Sequence, residues 1–307
     1  MLATSKIGKI GIGTWGIGGF AEADPHNNDA RDIAGLQHWL KKGANYIDVP
    51  FFYAGGKTAQ LVAQAVAASG VPREALFITL TVYPHRVASA EDMLADFARF
   101  CQLFQTNYAD SVQVSMGGVL QWGAAQTFGI IDALLQKKQA RYVNVTNADK
   151  AFLAKLHQRF GPKLFAHEVH FNFEIRANDD LGIIGYATAH HIRNIVAQPL
   201  RRNRTATRNW PLLVELGKKY GATQNQVLIA WLVARGMLPI PKATTPAHID
   251  ELWAAQELTL EPGDIATLNA WRPPHYTTPK IYWKRPGEDS SGVPIDQLPN
   301  VFDEPQQ

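Results

Sequence analysis

Residues 76–115 read LFITLTVYPHRVASAEDMLADFARFCQLFQTNYADSVQVS. The run opens and closes with short β-rich segments, LFITLTV (76–82) and DSVQVS (110–115). Between them Met93, Phe97, Phe100, Cys101 and Phe104 recur at spacings of three and four, which makes one apolar stripe on a helix. The same alternation runs along the chain. Further strand candidates are KIGIGT (9–14), NYIDV (45–49), RYVNVT (141–146), FAHEVHF (165–171), RNIVA (193–197) and MLPIP (237–241). Several are rich in Val and Ile, as strands buried on both faces are, although polar insertions blur the pattern. Helical stripes recur at 126–137, 210–220, 223–235 and 246–256, with Gly43, Gly70 and Gly221 at helix stops and Pro246 at a helix start. Eight strands alternating with helices over about 260 residues predict an α/β chain folded as a (β/α)8 TIM barrel. A doubly wound sheet needs fewer strands and is the weaker choice. The barrel takes residues 1–271. Residues 272–307 form an irregular Pro-rich C-terminal tail of seven prolines, whose aromatics Tyr276, Tyr282, Trp283 and Phe302 are expected to pack it onto the barrel near its mouth.

Composition narrows the class. The 307 residues are 46% apolar and 19% charged, which suits a globular core and is too apolar for a disordered chain. Thirty basic residues against 27 acidic ones leave a net charge of +3, so charge gives no reason to expect nucleic acid. One cysteine, Cys101, excludes an internal disulfide framework and a multi-cysteine zinc site. No uninterrupted apolar stretch reaches the ~18 residues of a membrane span, and the N-terminal MLATSKIGKIG lacks the apolar run of a secretory signal. The expectation is a soluble cytoplasmic protein.

Several motifs fail on context. GIGTWG (Gly11–Gly16) satisfies the G-x-G-x-x-G fingerprint, but the chain continues as loop to about Asp29, so no helix N-terminus faces a pyrophosphate. GGKT (55–58) lacks the first glycine of a phosphate loop, since residue 51 is Phe51. Sequons at Asn144 and Asn203 mean nothing without secretion. His190 and His191 are adjacent, so on a helix they point about 100° apart, and no metal site is expected.

In a barrel, functional residues gather at C-terminal strand ends and the loops that follow. Those positions hold Thr14, Trp15, Asp48, Tyr53, Thr81, Ser115, Thr146, Asn147, Glu168, His170, Asn172, Gln198, Pro199, Leu200 and Lys242. The segments carrying them are IGIGTWGIGG (10–19), GANYIDVPFFYAGG (43–56), QTNYADSVQV (105–114), KKQARYVNVTNADKAFL (137–153), HFNF (170–173), QPL (198–200) and IPKATTPAHIDEL (240–252). In content, order and spacing they resemble the aldo-keto reductase superfamily, over roughly residues 10–270.

That resemblance implies an NADP(H)-linked oxidoreductase that reduces carbonyls or oxidises alcohols with an aspartate, a tyrosine, a lysine and a histidine. The aspartate falls on Asp48 and the tyrosine, the general acid/base, on Tyr53. The lysine position is Thr81 and the histidine position Ser115, with Ser115 or His170 as candidates to take over orientation of the carbonyl. A lysine ammonium beside a phenol stabilises phenolate. Without it the phenol is a weaker general acid near neutral pH. One such preorganised group is typically worth ~2.7–4 kcal/mol of transition-state stabilisation.

For the cofactor, the resemblance implies Gly13, Thr14, Trp15 and Asp48 at the nicotinamide end, with Thr146 and Asn147 on the carboxamide. Its glutamine there is Glu168, which accepts from an amide but, as a carboxylate, cannot donate to it. Its stacking tyrosine is Ala197. Gln198, Pro199, Leu200 and Arg202 belong to the loop over the pyrophosphate, where Arg201, Arg204 and Arg208 add charge. Lys242, His248 and Glu251 fall at the adenosine phosphate end, with Ala243 and Leu252 replacing a serine and an asparagine. One lysine and a mostly neutral histidine hold a phosphate less firmly than a bidentate arginine, and a histidine charges below about pH 6.5. The aromatics Trp15, Phe51, Phe52 and Trp122 suggest an apolar or ring-bearing small-molecule substrate. The departures support a second reading, the same fold doing non-redox lyase or isomerase chemistry, or ligand-binding or regulatory work.

Overall fold

The computed structural model describes residues 1–82, 89, 91–274 and 276. Strands β1 (Tyr46–Pro50), β2 (Phe77–Val82), β3 (Ala109–Ser115), β4 (Ala140–Thr146), β5 (Leu164–His170), β6 (Arg193–Ala197) and β7 (Leu238–Pro239) pair in sequence order. Every pairing is parallel. Helices fill the crossovers and surround the strands: α1 (Asp29–Lys42), α2 (Lys57–Ser69), α3 (Asp92–Leu103), α4 (Met116–Trp122), α5 (Ala124–Gln136), α6 (Lys150–Phe160) and α7 (Ala177–Asp180). They continue with α8 (Ile183–Ala189), α9 (Arg204–Thr207), α10 (Pro211–Tyr220), α11 (Gln224–Ala234), α12 (Pro246–Ala254) and α13 (Pro262–Ala270). Gly43, Gly70 and Gly221 end α1, α2 and α10 in the left-handed conformation, where a missing Cβ removes the steric cost.

The first expected strand, 9–14, is present as a closing stave rather than a full ladder. Ile12 bridges Ile47 in parallel, its N–H donating to the Tyr46 carbonyl at 2.9 Å. On its other side the N–H groups of Gly11 and Gly13 donate to the carbonyls of Pro239 and Pro241, each at 3.0 Å. Neither proline has an N–H to return, so this side pairs in one direction only. The stave still joins β1 to β7 and closes the barrel. Gly13 is required by that closure: a Cβ there would lie 2.3 Å from the Ile240 carbonyl oxygen.

Inside the barrel the inward residues alternate along each strand and sort into two layers. Ile7, Tyr46, Phe77, Ala166, Ile195, Leu238 and Ile240 form a buried apolar plug. Asp48, Thr79, Thr81, Ser111, Gln113, Asn144 and Glu168, all buried, form a polar layer. These are the polar insertions that blur the strand pattern in the sequence. Two larger apolar clusters lie between strands and helices, one holding Val112, Val143 and Phe100, the other Val169, Phe171 and Trp231.

Among the described residues no helix is long and apolar enough to cross a membrane. Most of the 272–307 tail, including its expected packing through Tyr282, Trp283 and Phe302, lies outside the described residues. Arg272 and Tyr276 are described, and both donate to the Asp180 carboxylate at the end of α7.

Gly13→Ala is expected to destabilise the protein by ~1–3 kcal/mol or more through overpacking at the seam. Gly8→Ala, whose Cβ would meet its nearest atom at 3.6 Å, should leave the melting temperature nearly unchanged. Thermal melts of the two variants check this.

Candidate active site

A cleft of about 540 Å³ opens at the C-terminal ends of the strands. Asp48 of β1, Glu168 of β5 and Ala197 of β6 reach it from the barrel, and Tyr53, Trp15 and Phe20 from the loops after β1 and the closing stave. Pro199, Leu200, Ile240 and Pro241 add apolar wall. It extends to Arg202 and Asn203 in the loop after β6, to Asn225 of α11, to Lys242 after β7, and to His248, Glu251 and Leu252 of α12.

Tyr53 is fixed by a strained turn. It opens a 3-10 turn in which Ala54 has φ 50°, left-handed for a residue with a Cβ. The Ala54 N–H donates to the Phe20 carbonyl at 2.6 Å, which ties the turn to the neighbouring loop. The Tyr53 ring lies edge-on to Trp15 and to Phe52, with centroids 4.6 Å apart in both pairs. Thr14 is buried and donates to the Asp48 carbonyl at 2.9 Å, linking the closing stave to β1.

Thr81 stands at the end of β2 beside Asp48 and donates to its Oδ1. One N–H of Gln113 Nε2 donates to Thr81 Oγ1 at 3.1 Å and the other to Glu168 Oε2 at 2.9 Å. A neutral chain, Asp48–Thr81–Gln113–Glu168, therefore spans the barrel where two carboxyl groups face the cleft. Among the described residues neither carboxyl has an ion-pair partner. Burial pushes Asp48 well above the ordinary carboxylate range, Glu168 adds to that rise, and hydrogen bonds from Thr81 and Val49 only oppose it. Burial likewise pushes Glu168 up to about 7, against the hydrogen bond from Gln113.

The remaining expected site residues are distributed as follows. Gly13, Gln198, Pro199 and Leu200 line the cleft with Trp15, Arg202, Lys242, His248 and Glu251. Ser115, Thr146, Asn147 and His170, at or just past the ends of β3, β4 and β5, stand outside its lining. Ser115 caps α4, its Oγ accepting from the Gly118 N–H at 2.9 Å. Asn147 donates its N–H to the Glu168 carbonyl at 3.2 Å, so it and Thr146, paired with Glu168 in the sheet, border the carboxyl pair. Phe51 is buried in the core against Phe100, and Trp122 packs on the same cluster; neither lines the cleft, nor does Phe52.

Two of the four loop arginines serve the loop itself. Arg201 donates to Glu174 Oε2 at 2.6 Å, Arg208 reaches the same oxygen, and Trp210 Nε1 donates to Oε1 at 3.1 Å. This buried anchor holds a segment in which Gln198, Arg201, Arg202 and Asn203 all have positive φ. Arg202 lies over the Phe20 ring, 4.9 Å from its centroid. Lys242 is exposed, yet the packing around its ammonium pushes it below the usual lysine range, with Asp32 opposing the shift and Arg31 adding to it. Sequence reading missed Gln113, Glu174, Phe20, Asn203 and Asn225. Their importance comes from partners that no local motif reveals. Among the described residues no group of three or more His, Cys, Asp or Glu could hold a metal ion.

The raised carboxyl groups have a consequence for stability. The folded protein holds protons that the unfolded chain releases near pH 4–4.5, so stability falls as pH rises from there through about 7. Glu168→Gln, which keeps an acceptor for Gln113, should flatten that slope and raise the melting temperature at pH 8 by at least ~2 °C. Melting curves from pH 5 to 8 measure both.

Residues 9–272 match the aldo/keto reductase family. Among relatives, a 9,11-endoperoxide prostaglandin H2 reductase of Trypanosoma cruzi is 25% identical over 251 residues, covering 80% of this chain and 81% of its own. The methylglyoxal reductase YeaE of Escherichia coli is 24% identical over 265 residues, covering 85% and 89%. Among solved structures, the thermostable aldo-keto reductase Tm1743, determined with the inhibitor epalrestat, superposes with a TM-score of 0.76 at 27% identity, covering 86% of this chain and 95% of that one. An aldo-keto reductase from Klebsiella pneumoniae in complex with NADPH shares the fold, with a TM-score of 0.75 at 22% identity over 90% of this chain and 94% of that one. With the barrel, the strand-end cleft and a match over most of its length, the chain belongs to the aldo/keto reductase family.

Proposed function

We propose that this protein is an NADP(H)-linked oxidoreductase, reducing a carbonyl group or oxidising the corresponding alcohol. The observation that carries the reading is one continuous cleft with Asp48 and Tyr53 at the barrel and Lys242 and His248 at α12 and the loop before it. A dinucleotide phosphate needs both, since it joins a neutral reacting ring to an anionic end.

The residues present fit that cofactor. Lys242 is an exposed cation on the cleft without an ion-pair partner among the described residues, and His248 lies on the same cleft. Gln198 Nε2 and Asn225 Oδ1 are buried atoms with no partner among the described residues, on two residues that line the cleft. Lys242 and His248 would hold the adenosine phosphate, and Gln198 with Arg202 the pyrophosphate. Thr146 and Asn147, which border the carboxyl pair at the edge of the cleft floor, would meet the carboxamide. When bound, NADP(H) supplies or takes up the hydride.

This chain's own residues would manage the proton. Tyr53, held against Trp15 and Phe52, gives a proton from Oη to the substrate oxygen in reduction and takes it back in oxidation. Asp48 is its partner. With Thr81 in place of an ammonium, nothing on β2 stabilises the phenolate left behind, so carbonyl turnover is expected to be slow.

Titration with NADPH, NADP⁺, NADH and NAD⁺, followed by quenching of the eight tryptophans, tests the reading. A dissociation constant below ~10 μM for a phosphorylated form is expected, weakened about tenfold or more by Lys242→Ala, as loss of a charge-assisted phosphate contact implies. No binding of any nicotinamide dinucleotide at millimolar concentration would overturn it and return the non-redox reading.

A further inference from the structure

The floor of the cleft is built for positive charge. Its two ionisable groups from the barrel are both carboxyls, Asp48 4% exposed and Glu168 3% exposed. The neutral chain between them provides only hydrogen bonds. Both N–H groups of Gln113 Nε2 are committed, and the Thr81 hydroxyl is committed to Asp48. Glu168 lines the cleft and receives its hydrogen bond at Oε2, while Oε1 has no donor from the described residues. The rings of Trp15, Tyr53 and Phe20 line the same cleft, and aromatic faces attract cations. The Phe20 face already does so, holding the Arg202 guanidinium 4.9 Å from its centroid.

Carbonyl reduction is badly matched to such a floor. Hydride addition to C=O builds negative charge on oxygen, which calls for a proton and a positive environment. A protonated C=N group makes the opposite demand. Hydride adds to its carbon, the C=N π pair becomes the nitrogen lone pair, and the product is a neutral amine with no proton required. The substrate loses one positive charge as the oxidised nicotinamide ring gains one, so the carboxyl pair faces a single positive charge before and after the step.

We propose that the substrate of this cleft is a compact iminium ion, recognised by Asp48 and Glu168 in the cleft that Trp15, Tyr53 and Phe20 also line, and reduced to an amine by the nicotinamide dinucleotide. The inference rests on the oxidoreductase reading for its hydride source and on the two carboxyls for its substrate.

The test uses the full chain and two ring-matched pairs. N-methylpyrrolidinium and cyclopentanol probe binding by calorimetry, with and without NADPH. 1-Methyl-1-pyrrolinium, charged at every pH, and cyclopentanone probe turnover. The expected result is a preference of about tenfold or more for N-methylpyrrolidinium, as a desolvated charge pair gives, falling below about threefold in Glu168→Gln and in Asp48→Asn. Thermal melts confirm that each variant is folded, and the iminium should exceed the ketone about 100-fold in kcat/KM. Equal or better binding of cyclopentanol, or an unchanged preference in both folded variants, overturns the proposal. NADPH binding without the cation preference removes this inference and leaves the oxidoreductase reading. The preference without NADPH binding removes the reductive step and leaves only a cation site.

Discussion

Two buried carboxyl groups joined by neutral hydrogen bonds set the character of this barrel. Asp48 and Glu168 come from strands four apart in the sheet order, and Thr81 and Gln113, register partners on β2 and β3, bridge the space between. Water is largely excluded there, so a charge on either acid is costly unless something compensates it. Among the described residues the protein supplies hydrogen bonds and no cation. The pair is therefore driven to keep a proton near neutral pH.

The rest of the site is arranged around that floor. The closing stave brings Thr14 onto β1 and Trp15 onto Tyr53, while Gly13 allows the stave to lie against Ile240. On the far wall Glu174 holds Arg201, Arg208 and Trp210 together and so keeps a strained loop in place beside the cleft. Strain of this kind persists where surrounding contacts over-determine it, and it gathers at binding sites. The family fold thus carries a cleft with a carboxyl pair at its barrel floor and Arg202, Lys242 and His248 toward its other end.

The sequence reveals these parts unequally. Strand positions are legible because buried parallel strands need branched apolar residues: RNIVA coincides with β6, and β2 to β5 fall within a residue of their expected bounds. The closing stave shortens because Pro239 and Pro241 cannot donate, an effect visible only when the partner strand is known. Asp48, Tyr53, Glu168 and Lys242 are found by position at strand ends and in the loops after them, all four on one cleft. What they face is not legible. Thr81 reads as a lost lysine, yet its hydroxyl is a link in a chain of side chains from four strands, β1, β2, β3 and β5. The arginines after β6 read as one basic patch, yet two of them belong to Glu174, about thirty residues upstream. Side-chain partnership across a barrel depends on three-dimensional register, which composition and spacing do not encode.

On this account at least one of Asp48 and Glu168 is protonated at neutral pH. Infrared spectroscopy of the protein in heavy water at pH 7, compared with Asp48→Asn and Glu168→Gln, tests it directly. A protonated-carboxyl C=O stretch present in the native protein, and lost or shifted in both variants, is the result expected. Fully ionised carboxylate bands with no protonated-carboxyl stretch at pH 7 would contradict it.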